Sequence, residues 1–499
     1  MAMVGYVGSV SSSMLQSILD MRERLDDLQR QFGTGVKSDT YAGLGADRGI
    51  SLSLRGQISA ISGYDAAMAA TGIRLTLAQS ALTGIDNAAR TVKTAAIDSA
   101  FSIDPSGQST QQKGAMSQLD LMLGLLGTQA GDRSLFSGKA VDKPAVASTD
   151  LIINGDGIRA GLKQMIAERK LADLGASGLG RLNVTNPVAG TMRVAEDVGP
   201  FGFKLAAVNS SLSNATVTGP AGAPPRIDVA MTGQPAAGQT IAFSFNLPDG
   251  TSQSLTLTAT TASPPGSDQF TIGANATATA ANLGTALTAS LSKLAATSLV
   301  AASAMAASDN FFNTAGGNPP QRVNGPPFDT ATSLTAGTPA DTVVWYTGDD
   351  GADPARGTAA VQIDPSVSVS YGMRANEQAL RLALQNVAAF AASTFSASDP
   401  NAKSAYTALG QRVAVGLAGA PGQQKVSDIS SEIATAQTAF QSAQARHQQT
   451  SAQLQDLLGS IETVPQEQVG AQILSLQTNL QASLQTTAML AKMSLVNFI

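Results

Sequence analysis

The chain holds a single histidine, His447, and any chemistry that needs an imidazole must run through it. A catalytic histidine requires a nucleophile or a carboxylate beside it. Its chain neighbours are Arg446 and Gln448, and neither serves. The spacing instead places His447 in a helical seam, between Ala443 and Thr450, as a packing or polar residue. Gly348-Asp349-Asp350-Gly351-Ala352-Asp353 gathers three carboxylates and invites a calcium reading. It lacks the alternating Asp positions and the distal Glu of a calcium loop, which leaves a solvated hairpin turn. Gly33-Thr34-Gly35 and Gly43-Leu44-Gly45 lack the Gly-Lys-Ser/Thr of a phosphate loop and any preceding apolar strand, and read as a flexible link between helices. Asn183-Val184-Thr185, Asn214-Ala215-Thr216 and Asn275-Ala276-Thr277 fit the N-glycosylation pattern, which chance supplies in a chain rich in Asn and Thr. No acid pair, triad or cofactor loop emerges. The expectation is no catalytic, cofactor-binding or metal site and no enzymatic activity.

Composition narrows the classes further. The chain has 499 residues, of which 13% are charged and 4% aromatic. About a quarter is the usual charged share, so a free surface this poor in charge is expected to be covered by something. The absence of cysteine excludes disulfides, thiolate metal sites and a catalytic thiol. Lys and Arg number 31 against 36 Asp and Glu, a net charge of −5, which argues against a nucleic-acid partner. The first thirty residues do not read as a secretory signal, and no unbroken run reaches the eighteen apolar residues of a membrane span. The length allows two to four domains.

The elements that carry these residues fall into three zones. Met14, Ile18, Met21, Leu25, Leu28 and Phe32 step by 4, 3, 4, 3 and 4, a coiled-coil a/d stripe. After glycines 33, 35, 43, 45 and 49, a longer seam runs Ile61, Tyr64, Met68, Thr71, Leu75, Ala78, Leu82, Ile85, Ala89, Val92 and Ala96. It keeps one face on a partner for about 50 Å. Ile103 to Gly107 breaks it, and Met116, Leu119, Leu123 and Leu126 mark another helix. At the other end, Ile433, Ala436, Phe440, Ala443, His447, Thr450, Leu454, Leu457 and Ile461 repeat the long seam. Beyond Pro465, Val469, Ile473, Leu476, Leu480, Leu484, Ala491 and Leu495 carry a second short stripe. Between the arms, residues 210–320 contain only six charged residues. There Ile241, Phe243 and Phe245 alternate with smaller residues, as do Leu255 and Leu257 across Pro248-Asp249-Gly250, predicting a β-hairpin. Phe270 and Ile272 suggest a further strand, and 276–299 a helix. Val343 to Tyr346 and Val361 to Val369 read as a strand pair joined by the Gly348–Gly351 turn.

The fold class expected is mainly α with an α+β insert. Residues 1–45 pair with 462–499, and 46–175 with 373–461, in a coiled-coil bundle, while a central domain at 176–372 projects between them. The long seams satisfy each other. The short ones are marginal alone in water, and their simplest partners are the same segments of neighbouring copies. Head-to-tail contacts of that kind build open helical assemblies. The assembly seam is expected at Met14, Ile18, Met21, Leu25, Leu28, Phe32, Ile473, Leu476, Leu480, Leu484 and Leu495. A monomeric helical bundle with an inserted domain is the alternative.

Residues 14–90 resemble the N-terminal arm of bacterial flagellins and their relatives. The features that carry the likeness are Leu28-Gln29-Arg30-Gln31-Phe32-Gly33-Thr34-Gly35-Val36-Lys37, the Asp47-Arg48-Gly49-Ile50 step, and Leu75 to Ile85. Gly131-Asp132-Arg133-Ser134-Leu135-Phe136-Ser137-Gly138 resembles the hairpin of the family's hook–filament junction members, with Ser134 in place of their aromatic residue. Residues 480–490 and Ser494-Leu495-Val496-Asn497-Phe498-Ile499 resemble the junction tail. The likeness covers roughly the first 170 and last 125 residues. It implies a structural subunit of the flagellum that joins hook to filament by axial self-assembly of its terminal helices, or else a filament-forming flagellin. It further implies an extracellular location reached by type III export without a cleaved signal. The implied partners are further copies, other axial proteins such as hook-associated protein and flagellin, and an export chaperone at 469–495; no cofactor, nucleic acid or membrane insertion is implied. A secreted coiled-coil adhesin or scaffold, with its function in the middle domain, is the alternative from another class.

Overall fold

The computed structural model describes residues 2–314 and 319–496, with side chains from Ser12 to Met489 and at Lys492. The chain mixes helices with several small sheets. It runs through α1 (Ala2–Thr34), a 3-10 turn at Tyr41–Asp47, α2 (Arg48–Ala96) and α3 (Thr110–Leu126). A two-residue hairpin follows, β1 (Gln129–Ala130) and β2 (Arg133–Ser134), turned at Gly131, then α4 (Thr149–Asn154) and α5 (Leu162–Leu174). Next come β3 (Leu182–Val188), β4 (Thr191–Glu196), β5 (Lys204–Ser210), β6 (Ala215–Ala221), β7 (Arg226–Met231), β8 (Thr240–Asn246), β9 (Ser252–Thr260) and β10 (Gln269–Thr271). Helices α6 (Ala276–Leu294) and α7 (Val300–Phe312) are joined through a π-helical turn at Ala295–Leu299. After them lie β11 (Gln321–Val323), β12 (Leu334–Ala336), β13 (Ala360–Asp364) and β14 (Val367–Ser370). The chain then passes through α8 (Gln378–Ala392), α9 (Ala402–Ala418), α10 (Val426–Glu462) and α11 (Gln466–Val496).

Two compact units divide these elements. The first comprises Met1–Ala70, Gln362–Ser368 and Thr438–Ile499. In it α1 packs along α11. The start of α2 and the end of α10 run antiparallel: Ser51 and Arg55 reach Glu462, while Asp65, further along α2, reaches His447, further back on α10. The glycine break after α1 is not a loose link. The Lys37 amide donates to the Glu462 carbonyl at 2.8 Å, and the Val464 amide donates to the Gly35 carbonyl at 3.0 Å. This strand-like pairing ties it to the break at Pro465, and Gly35, at a φ of +73°, supplies the left-handed turn that the path needs.

The second unit, Thr71–Val361 and Val369–Gln437, contains the rest of α2 and the insert. Every seam residue from Thr71 to Ala96 is buried. A Cβ added at Gly410 on α9 falls 1.9 Å from the Ala96 carbonyl, so only glycine lets the two helices come this close. Ser109 caps α3 in a reciprocal capping box with Gln112, whose amide also donates to the Phe390 and Ser393 carbonyls and so fixes α3 against α8.

The insert is built on two four-stranded sheets, β3-β4-β7-β6 and β10-β9-β8-β5, with α6 against both. The hairpin predicted at Pro248–Gly250 is β8–β9, with Phe243 opposite Leu255 and Ile241 opposite Leu257. Alternation along β4, β7 and β8 sends Met192, Val194, Ile227, Val229, Phe243 and Phe245 into one core with Leu283, Leu287 and Leu291 of α6. The first sheet escapes the sequence reading, although Met192/Val194 and Ile227/Val229 carry the same period of two. The strand at Phe270 exists, and pairs in parallel with β9. The predicted helix runs past residue 299 through α7. As one span, Ala276–Phe312 is long and apolar enough to cross a membrane by composition, yet Leu283, Leu287, Leu291, Leu299, Phe311 and Phe312 are fully buried in the unit.

The expected strand pair is overturned as well. Val343–Tyr346 does not pair with Val361–Val369. The latter segment folds on itself as the β13–β14 hairpin, turned at Pro365-Ser366, because proline cannot continue a ladder. Trp345 is instead a core residue: its indole N–H donates to the Phe312 carbonyl at 2.9 Å, and its ring lies 5.2 Å from that of Phe312.

Candidate functional site

The residues expected to form an assembly seam lie on α1 and α11, two long helices that cover each other on one side only. On α1, Ile18 and Leu28 are buried, Met14, Met21 and Leu25 are half-buried, and Phe32 is 47% exposed. On α11, Ile473, Leu476 and Leu480 are half-buried and Leu484 is 41% exposed. The Leu495 and Ala491 side chains and residues 497–499 lie outside the described residues. Between the seam positions, Leu15, Leu19, Leu474 and Met489 add apolar surface, each more than half exposed. These side chains widen the stripe beyond an a/d seam, outside the 3–4 spacing that marks it. A two-helix layer has one mutual face, so the outer flanks of both helices keep apolar side chains in water.

Where the glycine and proline breaks meet, Glu462 ties the end of α10 to the start of α2. Its carboxylate accepts from the Ser51 hydroxyl at 2.5 Å and from both Nε and Nη2 of Arg55, at 2.9 and 2.5 Å. These bonds hold the Glu462 carboxyl below its usual range. Nearby, Arg30 joins Asp27, Asp39 and the Lys37 carbonyl, fixing the end of α1.

His447 departs from what its chain neighbours suggest. It is 4% exposed, and a carboxylate stands at each ring nitrogen. Nδ1 lies 2.7 Å from Asp65 Oδ1 on α2, and Nε2 lies 3.0 Å from Asp364 Oδ1 at the end of β13. Arg446 reaches the second Asp364 oxygen at 3.1 Å. Burial alone would lower the imidazole's proton affinity, but the bonds to Asp364 and Asp65 outweigh it and raise it. The same contacts depress the Asp364 carboxyl, the His447 bond most. Sequence distance hid the partners, 382 and 83 residues away. In a hydrolytic triad one imidazole nitrogen faces the nucleophile; here both are engaged by carboxylates. The carboxylates sit at opposite nitrogens, so the three groups do not converge on one ion.

The acidic loop at residues 348–353 is a wrapping, not a free hairpin turn. Arg374 donates to Asp349 Oδ2 at 2.7 Å and to the carbonyls of Gly351 and Asp353, Asn376 donates to Asp350, and Lys139 pairs with Asp353. Each acid already has a protein donor. The three sequon asparagines are engaged as well: Asn183 donates to Asp197, Asn214 to the Gln234 carbonyl, and Asn275 caps α6 by accepting from the Ala278 amide. No group of three or more His, Cys, Asp or Glu able to hold a metal is present among the described residues. Neither a protein-family model nor a curated protein matches the chain.

Proposed function

We propose that this protein is a structural subunit of the bacterial flagellum that joins hook to filament by axial self-assembly through its terminal helices. One observation supports it above the others. The apolar seams of α1 and α11 find a partner in each other on one side and leave seam residues Phe32 and Leu484 in water beside Leu15, Leu19, Leu474 and Met489, whereas the α2 seam from Met68 to Ala96 is buried throughout, with Ile73 and Leu77 exposed only off it. Copies stacked head to tail supply the missing neighbours, with the paired terminal helices as a coiled-coil seam. On this reading, before assembly an export chaperone masks residues 469–495, and the location is extracellular. Likeness of the arms to the flagellin family supplies the axial context, and the junction-like hairpin and tail supply the position.

The test is removal of the gene followed by immunogold labelling of the complemented strain. Hooks that lack filaments, with gold confined to a band at the hook tip, support the junction subunit. Gold along the whole filament overturns that position in favour of a filament flagellin, and gold absent from the flagellum supports the adhesin or scaffold reading.

A further inference from the structure

We propose that the tip of the β13–β14 hairpin, Gln362–Ser368, is held on α2 and α10 by a pH-operated latch whose working part is a protonated His447. A carboxylate oxygen only accepts hydrogen bonds. Both nitrogens of His447 lie within bonding distance of carboxylate oxygens, 2.7 Å to Asp65 and 3.0 Å to Asp364. Both must therefore donate, and only the imidazolium has two N–H groups. A neutral ring, itself 4% exposed, sets a lone pair against one of the two aspartates, whose side chains are 35% and 29% exposed, so water softens this cost without removing it.

The charged groups facing the ring come from three elements. Asp65 of α2 and Asp364 of the hairpin favour its charge, and Arg446 of α10 opposes it from the far oxygen of Asp364. The Tyr64 ring of α2 lies tilted at 6.2 Å. With His447 protonated, two cations meet two anions. Without the proton one negative charge is left over, placed where the hairpin meets the helices. Ile363, next to Asp364, is 3% exposed, so release of the tip uncovers an apolar residue. The raised proton affinity of His447 agrees with this geometry. The sign follows from linkage: a group whose folded value lies above its unfolded value, about 6.5 for histidine, stabilises fully below that value, and the contribution disappears as pH rises through the folded value. The latch closes in acid and opens in base. It rests on the geometry of the first unit and not on the polymer reading.

Because His447 is the sole histidine, its imidazole resonances in the full chain need no assignment. The experiment titrates ¹³C-histidine-labelled protein from about pH 5 to about pH 9, and follows hydrogen exchange of 362–368 over the same range, corrected for intrinsic rates. The expected result is a midpoint above the ordinary histidine value, with protection of 362–368 falling about tenfold or more through it while 75–96 stays protected. Asp364→Asn should lower the midpoint by about one pH unit, Arg446→Gln should raise it, and His447→Gln should leave 362–368 weakly protected at every pH. Should His447→Gln fail to fold, the Asp364 and Arg446 variants still decide. A wild-type midpoint at or below the ordinary value, or protection of 362–368 that is flat through the titration, overturns the latch.

Discussion

From Met68 to Ala96 every seam residue of α2 is buried, whereas from Met14 to Phe32 α1 carries the same spacing and buries only Ile18 and Leu28. The difference lies in what surrounds each helix. Within the second unit, α2 is met by other helices, closely enough that a Cβ at Gly84 reaches Leu125 and one at Gly410 reaches the Ala96 carbonyl. Within the first unit, α1 has α11 along it and an open flank beside it. A 3–4 apolar repeat therefore declares that a face needs covering. It does not declare whether the cover comes from the same chain.

The largest expected effect is in the filled seam. Leu82→Ala removes a fully buried side chain and should cost about 3 kcal/mol of stability, read from the denaturation midpoint of the second unit. Gly410→Ala should follow at about 2 kcal/mol, since the new methyl group forces α9 away from α2. If both are tolerated without loss, α2 is not the tightly filled partner described here.

Smaller effects are expected in the first unit. Glu462→Gln weakens the Arg55 pair, and because Arg55 is half exposed the loss should be about 1 kcal/mol. The sign with pH is set by the depressed Glu462 carboxyl: its contribution is present above the unfolded carboxylate range and disappears as pH falls through the folded value. Acid should therefore loosen the junction of α2 and α10 at Glu462, and Glu462→Gln should remove that part of the acid sensitivity. The smallest effect on a dilute monomer is expected for Leu480→Ala, half-buried on α11, at under about 1 kcal/mol. The same variant should raise the critical concentration for assembly, seen by sedimentation. A large loss of monomer stability with normal assembly would reverse the contrast between the two seams.

Much of this was legible beforehand. The α2 seam follows residue by residue from a period that has one physical cause, and the β8–β9 hairpin from alternation around Pro248-Asp249-Gly250. What stayed hidden depended on distance along the chain. Asp65 and Asp364 are invisible as partners of His447 until the fold closes, and the Gly33–Gly45 break reads as loose until Gly35 and Lys37 are seen to bond Val464 and Glu462. Trp345 illustrates a different miss. A run of Val-Val-Trp-Tyr looks like a strand by propensity, yet it makes only single bridges, Tyr346 with Val146 and its neighbour Thr342 with Ala160, rather than a ladder with 361–369. The six charges of residues 210–320 are partly accounted for, since Asp228 pairs with Arg193 and Asp249 with Arg412 inside the second unit.

Hydrogen exchange compared between dilute monomer and assembled protein tests the central claim most directly. In the monomer, amides of 12–34 and 466–489 should exchange rapidly while those of 71–96 stay protected; after assembly both sets should be protected. Full protection of the terminal helices in dilute monomer, or no gain when the protein assembles, would contradict the account.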